Sequence, residues 1–241
     1  MAQRTLQTPR GDYTLSYLLE GPAEGQKVLF LHGWGATKEL MKNSFSRHCG
    51  RWQALYLDLP GFGGSSSFEP LTTGEYAAII RAFLDDLGFT PQAIVGHSFG
   101  GKVATLLDPP LLVLLSSAGI VKRKSLKVRL KIALAKSFGF LKSDRLRERL
   151  RTRDAAGLPE HMYETLKNVV DEDFSAVFAA RTKPALIFWG KNDRATPLYT
   201  GEALHRLIAG SRFFPLAGDH FFFAGHGALI TQEIAKAIEG A

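Results

Sequence analysis

Cysteine, long apolar runs and metal-binding clusters are scarce or missing in this chain of 241 residues. The single cysteine, Cys49, excludes an internal disulfide and fits a reducing compartment. No apolar run approaches the ~20 residues of a transmembrane helix, and segment 1–11 lacks the apolar region of a signal peptide. We therefore expect a cytoplasmic protein without a transmembrane segment.

Cofactor motifs are missing as well. The His, Cys, Asp and Glu residues show no spacing typical of metal ligands, so no metal is expected. No G-x-G-x-x-G sequence lies between a predicted strand and a predicted helix, which argues against a bound dinucleotide. The sequence thus predicts an activity that needs no cofactor.

The net charge of +7 arises in one segment. Residues 122–153 contain thirteen Lys or Arg against only Asp144 and Glu148, so they carry +11 and the rest of the chain carries −4. Basicity this local does not indicate a nucleic-acid-binding protein. Leucines at near-helical spacing favour a solvated lid face with an apolar underside. The alternative is a surface that attracts an anionic acyl substrate, an acidic acyl-carrier protein or a membrane.

Short apolar runs alternate with helical patterns along most of the chain, which is typical of a parallel sheet covered on both faces. The predicted strands lie at 13–19, 28–31, 54–57, 93–95, 111–115, 185–189 and 212–214. The predicted core helices lie at 73–87, 102–108, 197–208 and 224–238. We predict an α/β fold with a mostly parallel central sheet.

One long stretch interrupts this alternation. It is helical in period and contains the basic segment, so we expect a helical lid (cap) insertion at 119–181. The remaining residues, 1–118 and 182–241, would then form one core domain.

The most informative motif is the pentapeptide Gly96-His97-Ser98-Phe99-Gly100, a G-x-S-x-G sequence between a predicted strand and a predicted helix. This placement is typical of a sharp turn that exposes a nucleophilic serine. Glycine at both ends lets the backbones approach closely. The helix N-terminus directs backbone N–H groups toward developing negative charge. Ser98 is therefore the candidate nucleophile.

A nucleophilic serine needs a base, and the base needs an acid that orients it. Asp193 follows the predicted strand at 185–189, and His220 follows the one at 212–214. The order Ser, Asp, His along the chain is the one that this kind of sheet uses. All three side chains would emerge at the carboxyl edge of the sheet, where ligands bind in open α/β folds.

The loop after strand 28–31 contains the candidate oxyanion site. The backbone N–H groups of Trp34 and Phe99 are expected to point at one oxygen atom of the substrate. His226 is a weaker candidate for the base and Asp219 for the acid. His32 is expected to brace this loop through a hydrogen bond.

These motifs together resemble the α/β-hydrolase fold family, in its lidded group of carboxylesterases and meta-cleavage-product hydrolases. The matching motifs are His32-Gly33-Trp34-Gly35, Asp58-Leu59-Pro60-Gly61-Phe62-Gly63, Gly96-His97-Ser98-Phe99-Gly100-Gly101, Asp193 and Gly218-Asp219-His220. The resemblance implies that Ser98 is the nucleophile, His220 the base and Asp193 the orienting acid. It also implies an oxyanion hole formed by Trp34 and Phe99.

The sequence thus predicts a serine hydrolase that cleaves a small or medium carboxylic ester through an acyl-enzyme intermediate. The expected partner is a small-molecule ester or acyl substrate, and an anionic or carrier-bound acyl group is a variant of it. A carbon–carbon bond hydrolase of the 2-hydroxy-6-oxo-dienoate type stays open. It is weakened because Phe221, and not Trp, follows His220. A ligand sensor on a hydrolase scaffold also stays open.

Overall fold

The computed structural model of the chain describes residues 2–8, 11–121 and 157–240. The basic segment 122–153 lies outside the described residues. The strands, numbered along the chain, are β1 (Ala2–Thr8), β2 (Gly11–Glu20), β3 (Gln26–Leu31), β4 (Trp52–Leu57), β5 (Ala93–His97), β6 (Leu111–Leu115), β7 (Ala185–Gly190) and β8 (Arg212–Leu216). The described helices are α1 (Lys38–Phe45), α2 (Thr73–Leu87), α3 (Phe99–Leu107), α4 (Glu160–Val170), α5 (Ser175–Ala179), α6 (Leu198–Leu207) and α7 (Phe223–Glu239).

The eight strands form one sheet in the order β1-β2-β4-β3-β5-β6-β7-β8. Strands β3 to β8 pair in parallel, while β1 and β2 extend the sheet in antiparallel fashion. This arrangement confirms the predicted α/β fold. Strand β3 lies between β4 and β5, so the strand order reverses there. The loops after β3 and β5 consequently lie side by side at the carboxyl edge, the usual ligand site of such sheets.

Both faces of the sheet are covered, because successive side chains of each buried strand point to opposite faces. In β3, Leu29 and Leu31 join a core beneath α2, α3 and α6. Val28 and Phe30 join a second core beneath α1 and α7. The rim that carries the loops after β3, β5 and β7 is therefore supported by buried strands, and β8 is a partly exposed strand at the edge of the sheet.

Helix α2 shows how closely local signals match the structure. It spans Thr73–Leu87, as predicted from its apolar spacing. Thr72 and Glu75 form a capping box at its start, and Gly88 ends it with a φ of 64°.

The sequence analysis missed helix α1 and, at the edge of the sheet, strand β1. It pairs with β2 along seven residues, from Ala2 opposite Tyr17 to Thr8 opposite Gly11. Most of its side chains are exposed, with Leu6 as its buried residue. An edge strand of this kind has no apolar alternation for sequence patterns to detect.

The proposed lid is described only at its ends. Helix α4, helix α5 and the turn between them contribute Met162, Val169, Phe174 and Phe178 to the core beneath α2 and α3. The boundaries 119–181 stay a proposal, since residues 122–156 are not described. In the described ranges, no helix has both the length and the apolar character needed to cross a membrane.

Candidate active site

Ser98 lies at the sharp turn between β5 and α3. Its backbone has a φ of 50° and a ψ of −113°, a conformation that costs free energy for any residue with a Cβ. The turn also brings backbones into contact. A Cβ on Gly96 would lie 2.5 Å from the carbonyl oxygen of Gly100, and one on Gly100 would lie 2.5 Å from that of His32. The two glycines are required by this crowding, and Ser98 is consequently held at the rim.

Asp193 and His220 meet across the ends of β7 and β8. The Nδ1 atom of His220 lies 2.7 Å from Oδ2 of Asp193. The same carboxylate accepts hydrogen bonds from the backbone N–H groups of Ala195 and Thr196, at 2.8 and 2.9 Å, and from the Thr196 hydroxyl at 2.8 Å. A carboxylate with this many donors holds the imidazole in one orientation.

The charge of Asp193 follows from these contacts. Burial by itself would raise the pKa of Asp193, but the hydrogen bond and charge of His220, with further donors around the carboxylate, lower it to about 2. Asp193 is therefore ionised at neutral pH. It accepts the Nδ1–H of His220, which leaves Nε2 of the neutral ring free to accept a proton.

Ser98 and His220 belong to the same rim, and His97 links them. The His97 ring lies 4.6 Å from the His220 ring, centroid to centroid, and is the chain neighbour of Ser98. Within the described residues, no hydrogen bond joins the Ser98 hydroxyl to His220. In enzymes without substrate such a bond is often long, and it tightens when substrate binds.

The backbone N–H groups of Trp34 and Phe99 belong to the loop after β3 and to the turn after β5. A Cβ on Gly33 would be 3.0 Å from the Cβ of Ser98, so the loop after β3 touches the turn after β5. Neither N–H donates a hydrogen bond to another residue in the described ranges. Backbone donors that have no partner within the protein at such a turn are suited to an oxyanion. The N–H groups of Trp34 and Phe99 therefore stay the candidate oxyanion donors.

A buried network supports the loop after β3. The Nδ1–H of His32 donates to the carbonyl of Gly33 at 2.7 Å, and its Nε2 accepts from the Leu59 N–H at 3.0 Å. Nearby, Asp58 accepts from both the backbone N–H and the side-chain Nζ of Lys38, at 2.7 and 2.6 Å. His32 thus braces this loop as expected from the sequence, whereas Lys38 carried no sequence signal.

The weaker candidates lie elsewhere. His226 uses Nε2 to donate to the carbonyl of Ala217, at 2.8 Å. The carboxylate of Asp219 accepts the N–H of Phe221 at 2.9 Å, and it is Asp193 that binds His220. Cys49 is buried in the core beneath α1 and α7, where burial raises the pKa of its thiol to about 12. Among the described residues, no cluster of His, Cys, Asp or Glu could hold a metal ion.

Two residues of the site were missed at the sequence level. Thr196 donates twice to Asp193, from its backbone and its hydroxyl. An Asp followed three residues later by Thr is a local turn pattern that could have indicated it. His97 lies inside the G-x-S-x-G motif, but its contact with residue 220 spans 123 positions and leaves no local signal.

Comparisons with known proteins identify the family of the chain. The model of the alpha/beta hydrolase family matches residues 28–233. A pimeloyl-[acyl-carrier protein] methyl ester esterase of Neisseria meningitidis is 27% identical, over 91% of this chain and 96% of the relative. The magnesium-chelatase 30 kDa subunit of Rhodobacter capsulatus is 28% identical, over 91% of this chain and 86% of its own.

A similar fold is also known from experiment. The crystal structure of a hydrolase from Pseudomonas aeruginosa superimposes with a TM-score of 0.76 at 23% identity, and the match covers 99% of this chain and 98% of that one. The strand order, the turn at Ser98 and the match to the family model all indicate the same fold. The chain therefore belongs to the alpha/beta hydrolase family.

Proposed function

We propose that this protein is a serine hydrolase that cleaves a small or medium carboxylic ester through an acyl-enzyme intermediate. One observation carries the proposal: His220 is bound through Nδ1 to the ionised Asp193, at the sheet edge where Ser98 occupies its strained turn. An esterase among the relatives supports the type of reaction.

The proposed reaction begins when Nε2 of His220 accepts the hydroxyl proton of Ser98, while the serine oxygen attacks the ester carbonyl. The tetrahedral oxyanion is stabilised by the N–H groups of Trp34 and Phe99. The imidazolium then gives its proton to the leaving alcohol, and the acyl group stays on Ser98. A water molecule, deprotonated by His220, releases the acid and restores the serine.

Two features favour an anionic or carrier-bound acyl group as the substrate. The Neisseria relative is named for an ester carried on an acyl-carrier protein. In addition, segment 122–153 carries a charge of +11, which would attract an acidic carrier. The alternative is that the basic segment is a solvated lid face that does not attract the substrate, and the ester panel described below distinguishes the two.

The nucleophile is tested with a fluorophosphonate probe, which reacts with activated serines. We expect the wild-type protein to be labelled and Ser98→Ala to be unlabelled while still folded by circular dichroism. Ser46→Ala, on the turn after α1, is the matched control and should label normally. A folded wild-type protein that stays unlabelled would contradict the proposal.

The substrate is tested with a panel of esters, free and carrier-bound, at low and high salt. We expect carrier-bound esters to show the higher kcat/KM and to lose that advantage as salt screens the charge. Equal kcat/KM for neutral free esters at every salt concentration would indicate a solvated lid. Faster turnover of a 2-hydroxy-6-oxo-dienoate would favour the carbon–carbon hydrolase. A single turnover together with tight ligand binding would favour a sensor.

A further inference from the structure

His97 is a buried histidine that has no role in the reaction proposed above. It is the last residue of β5, immediately before Ser98, and its relative exposure is 1%. Its Nε2 atom lies 3.0 Å from the backbone carbonyl oxygen of His220. A carbonyl oxygen only accepts hydrogen bonds, so Nε2 of His97 must carry the hydrogen. The tautomer of His97 is therefore set by the loop that carries the proposed base.

The other nitrogen of His97 is enclosed. Nδ1 is buried and has no hydrogen-bond partner among the described residues. A Cβ added to Gly33 would lie 2.9 Å from it, so it faces the loop after β3. Protonation would place an unpaired charged donor there. Burial, with a further contribution from the nearby His220, lowers the pKa of His97 to about 3.

The His97 ring is packed against the loop of the proposed base. Its centroid lies 4.6 Å from that of His220, 5.4 Å from that of Phe221 and 4.7 Å from that of Phe223. The other titratable groups that act on it are Asp193, after β7, and His32, after β3. His97 thus contacts the loop after β3, the nucleophile's turn and the loop of the base.

We propose that His97 is a positioning residue for His220: its Nε2–H holds the His220 carbonyl, and its uncharged ring supports the His220 imidazole at the distance that Ser98 requires. This inference rests on the proposed function, in which His220 is the base. A neutral neighbour matters because a second positive charge at 4.6 Å would oppose the imidazolium that forms during the reaction.

Three variants separate the hydrogen bond from simple packing. Gln places its amide N–H at about the reach of Nε2 and cannot titrate, so His97→Gln keeps the donor. His97→Phe keeps a ring without the donor, and the amide of His97→Asn is too short to reach residue 220. We expect kcat to fall about 10- to 100-fold in H97F and H97N, with KM changed less than about twofold. We expect H97Q to recover kcat to within about threefold of wild type.

Rates are normalised to the sites titrated by the phosphonate probe, so unfolded protein does not count. The proton shared by His220 and Asp193 gives a low-field NMR signal, which should persist in H97Q and weaken in H97F and H97N. Wild-type kcat in H97N, or a loss in H97Q as large as in H97N, would overturn the inference. A wild-type protein that neither labels nor turns over esters would instead contradict the proposed function.

Discussion

At the scale of single residues, the carboxylate that contacts His220 is not the one next to it in the sequence. Asp219 precedes it in the chain, but its carboxylate turns back to accept the Phe221 N–H. Asp193 is 27 positions away and contacts Nδ1 at 2.7 Å. A side chain adjacent in sequence rarely reaches the same imidazole, because the short connecting backbone directs it elsewhere.

This difference predicts opposite outcomes for two similar substitutions. Asp193→Asn should lower kcat about 10⁴-fold with KM nearly unchanged, because an amide can donate to Nδ1 and so favours the wrong tautomer of His220. Asp219→Asn keeps an oxygen for the Phe221 N–H and should stay within about threefold of wild type. Steady-state kinetics on one ester checks both. Equal losses would mean that Asp193 does not orient the base.

At the scale of elements, one lysine joins α3, the helix after Ser98, to the described end of the proposed lid. Lys102 of α3 is 1% exposed. Its Nζ donates to the Val169 carbonyl of α4 at 2.5 Å and to Glu172 at 2.7 Å, and it lies 4.9 Å from the centre of the Phe174 ring. Burial lowers the pKa of Lys102, and its bond to Glu172 opposes that shift.

Removal of this amine should loosen α4 and the turn that follows it. Lys102→Met keeps most of the volume but leaves the Val169 carbonyl without its donor, at a cost of about 1–3 kcal/mol in the free energy of unfolding. Hydrogen exchange should accelerate in residues 160–174. Lys167→Met removes a solvent-exposed pair with Glu164 on the same helix and serves as the control, with an expected change below about 0.5 kcal/mol. The same exchange rates in both variants would refute this role.

Elements also differ in how far local patterns predicted them. Helix α2 was predicted with its bounds, because its apolar stripe and the Gly88 that ends it are signals within a few residues of one another. Strand β1 was missed, because its pairing with β2 is made by backbone groups while its side chains remain mostly polar. The ion pair of Lys38 and Asp58 was also missed, since it joins positions twenty residues apart.

At the scale of the whole molecule, packing on both faces of the sheet buries two histidines in their uncharged form. His32 is fully buried, and burial lowers its pKa to about 4 despite its hydrogen bond to Gly33. His97 has its pKa lowered to about 3. In the unfolded chain both return to about 6.5. Because these folded-state pKa values are depressed, the unfolded state binds more protons below pH 6.5, so the protein loses stability as the pH is lowered.

We therefore expect the free energy of unfolding to fall by up to about 2 kcal/mol per histidine between pH 7 and pH 5. Urea unfolding at pH 7, 6 and 5 measures it. His97→Gln removes one titrating group and should lose roughly half of this pH dependence, whatever its absolute stability. Asp193 does not add to this pH dependence. Because its pKa is depressed in the folded state, its stabilising contribution is present from pH 5 to pH 7 and is lost only below about pH 4. An H97Q slope equal to that of wild type would contradict this account.

The amino-acid sequence alone determined the α/β alternation, the turn at Ser98 and the candidates Asp193, His220, Trp34 and Phe99. These signals are local, because each of them depends on residues that lie close together in the sequence: the period of a strand or helix, the glycines of a turn, or the position of a loop. Only the tertiary structure showed the contact between the Asp193 carboxylate and Nδ1 of His220, although the sequence already favoured Asp193 over Asp219. It also showed that His97 binds the backbone carbonyl of His220 and that Lys102 joins α3 to α4. Contacts of this kind depend on which strand ends become neighbours in the sheet, and strand order is set by packing across the whole domain.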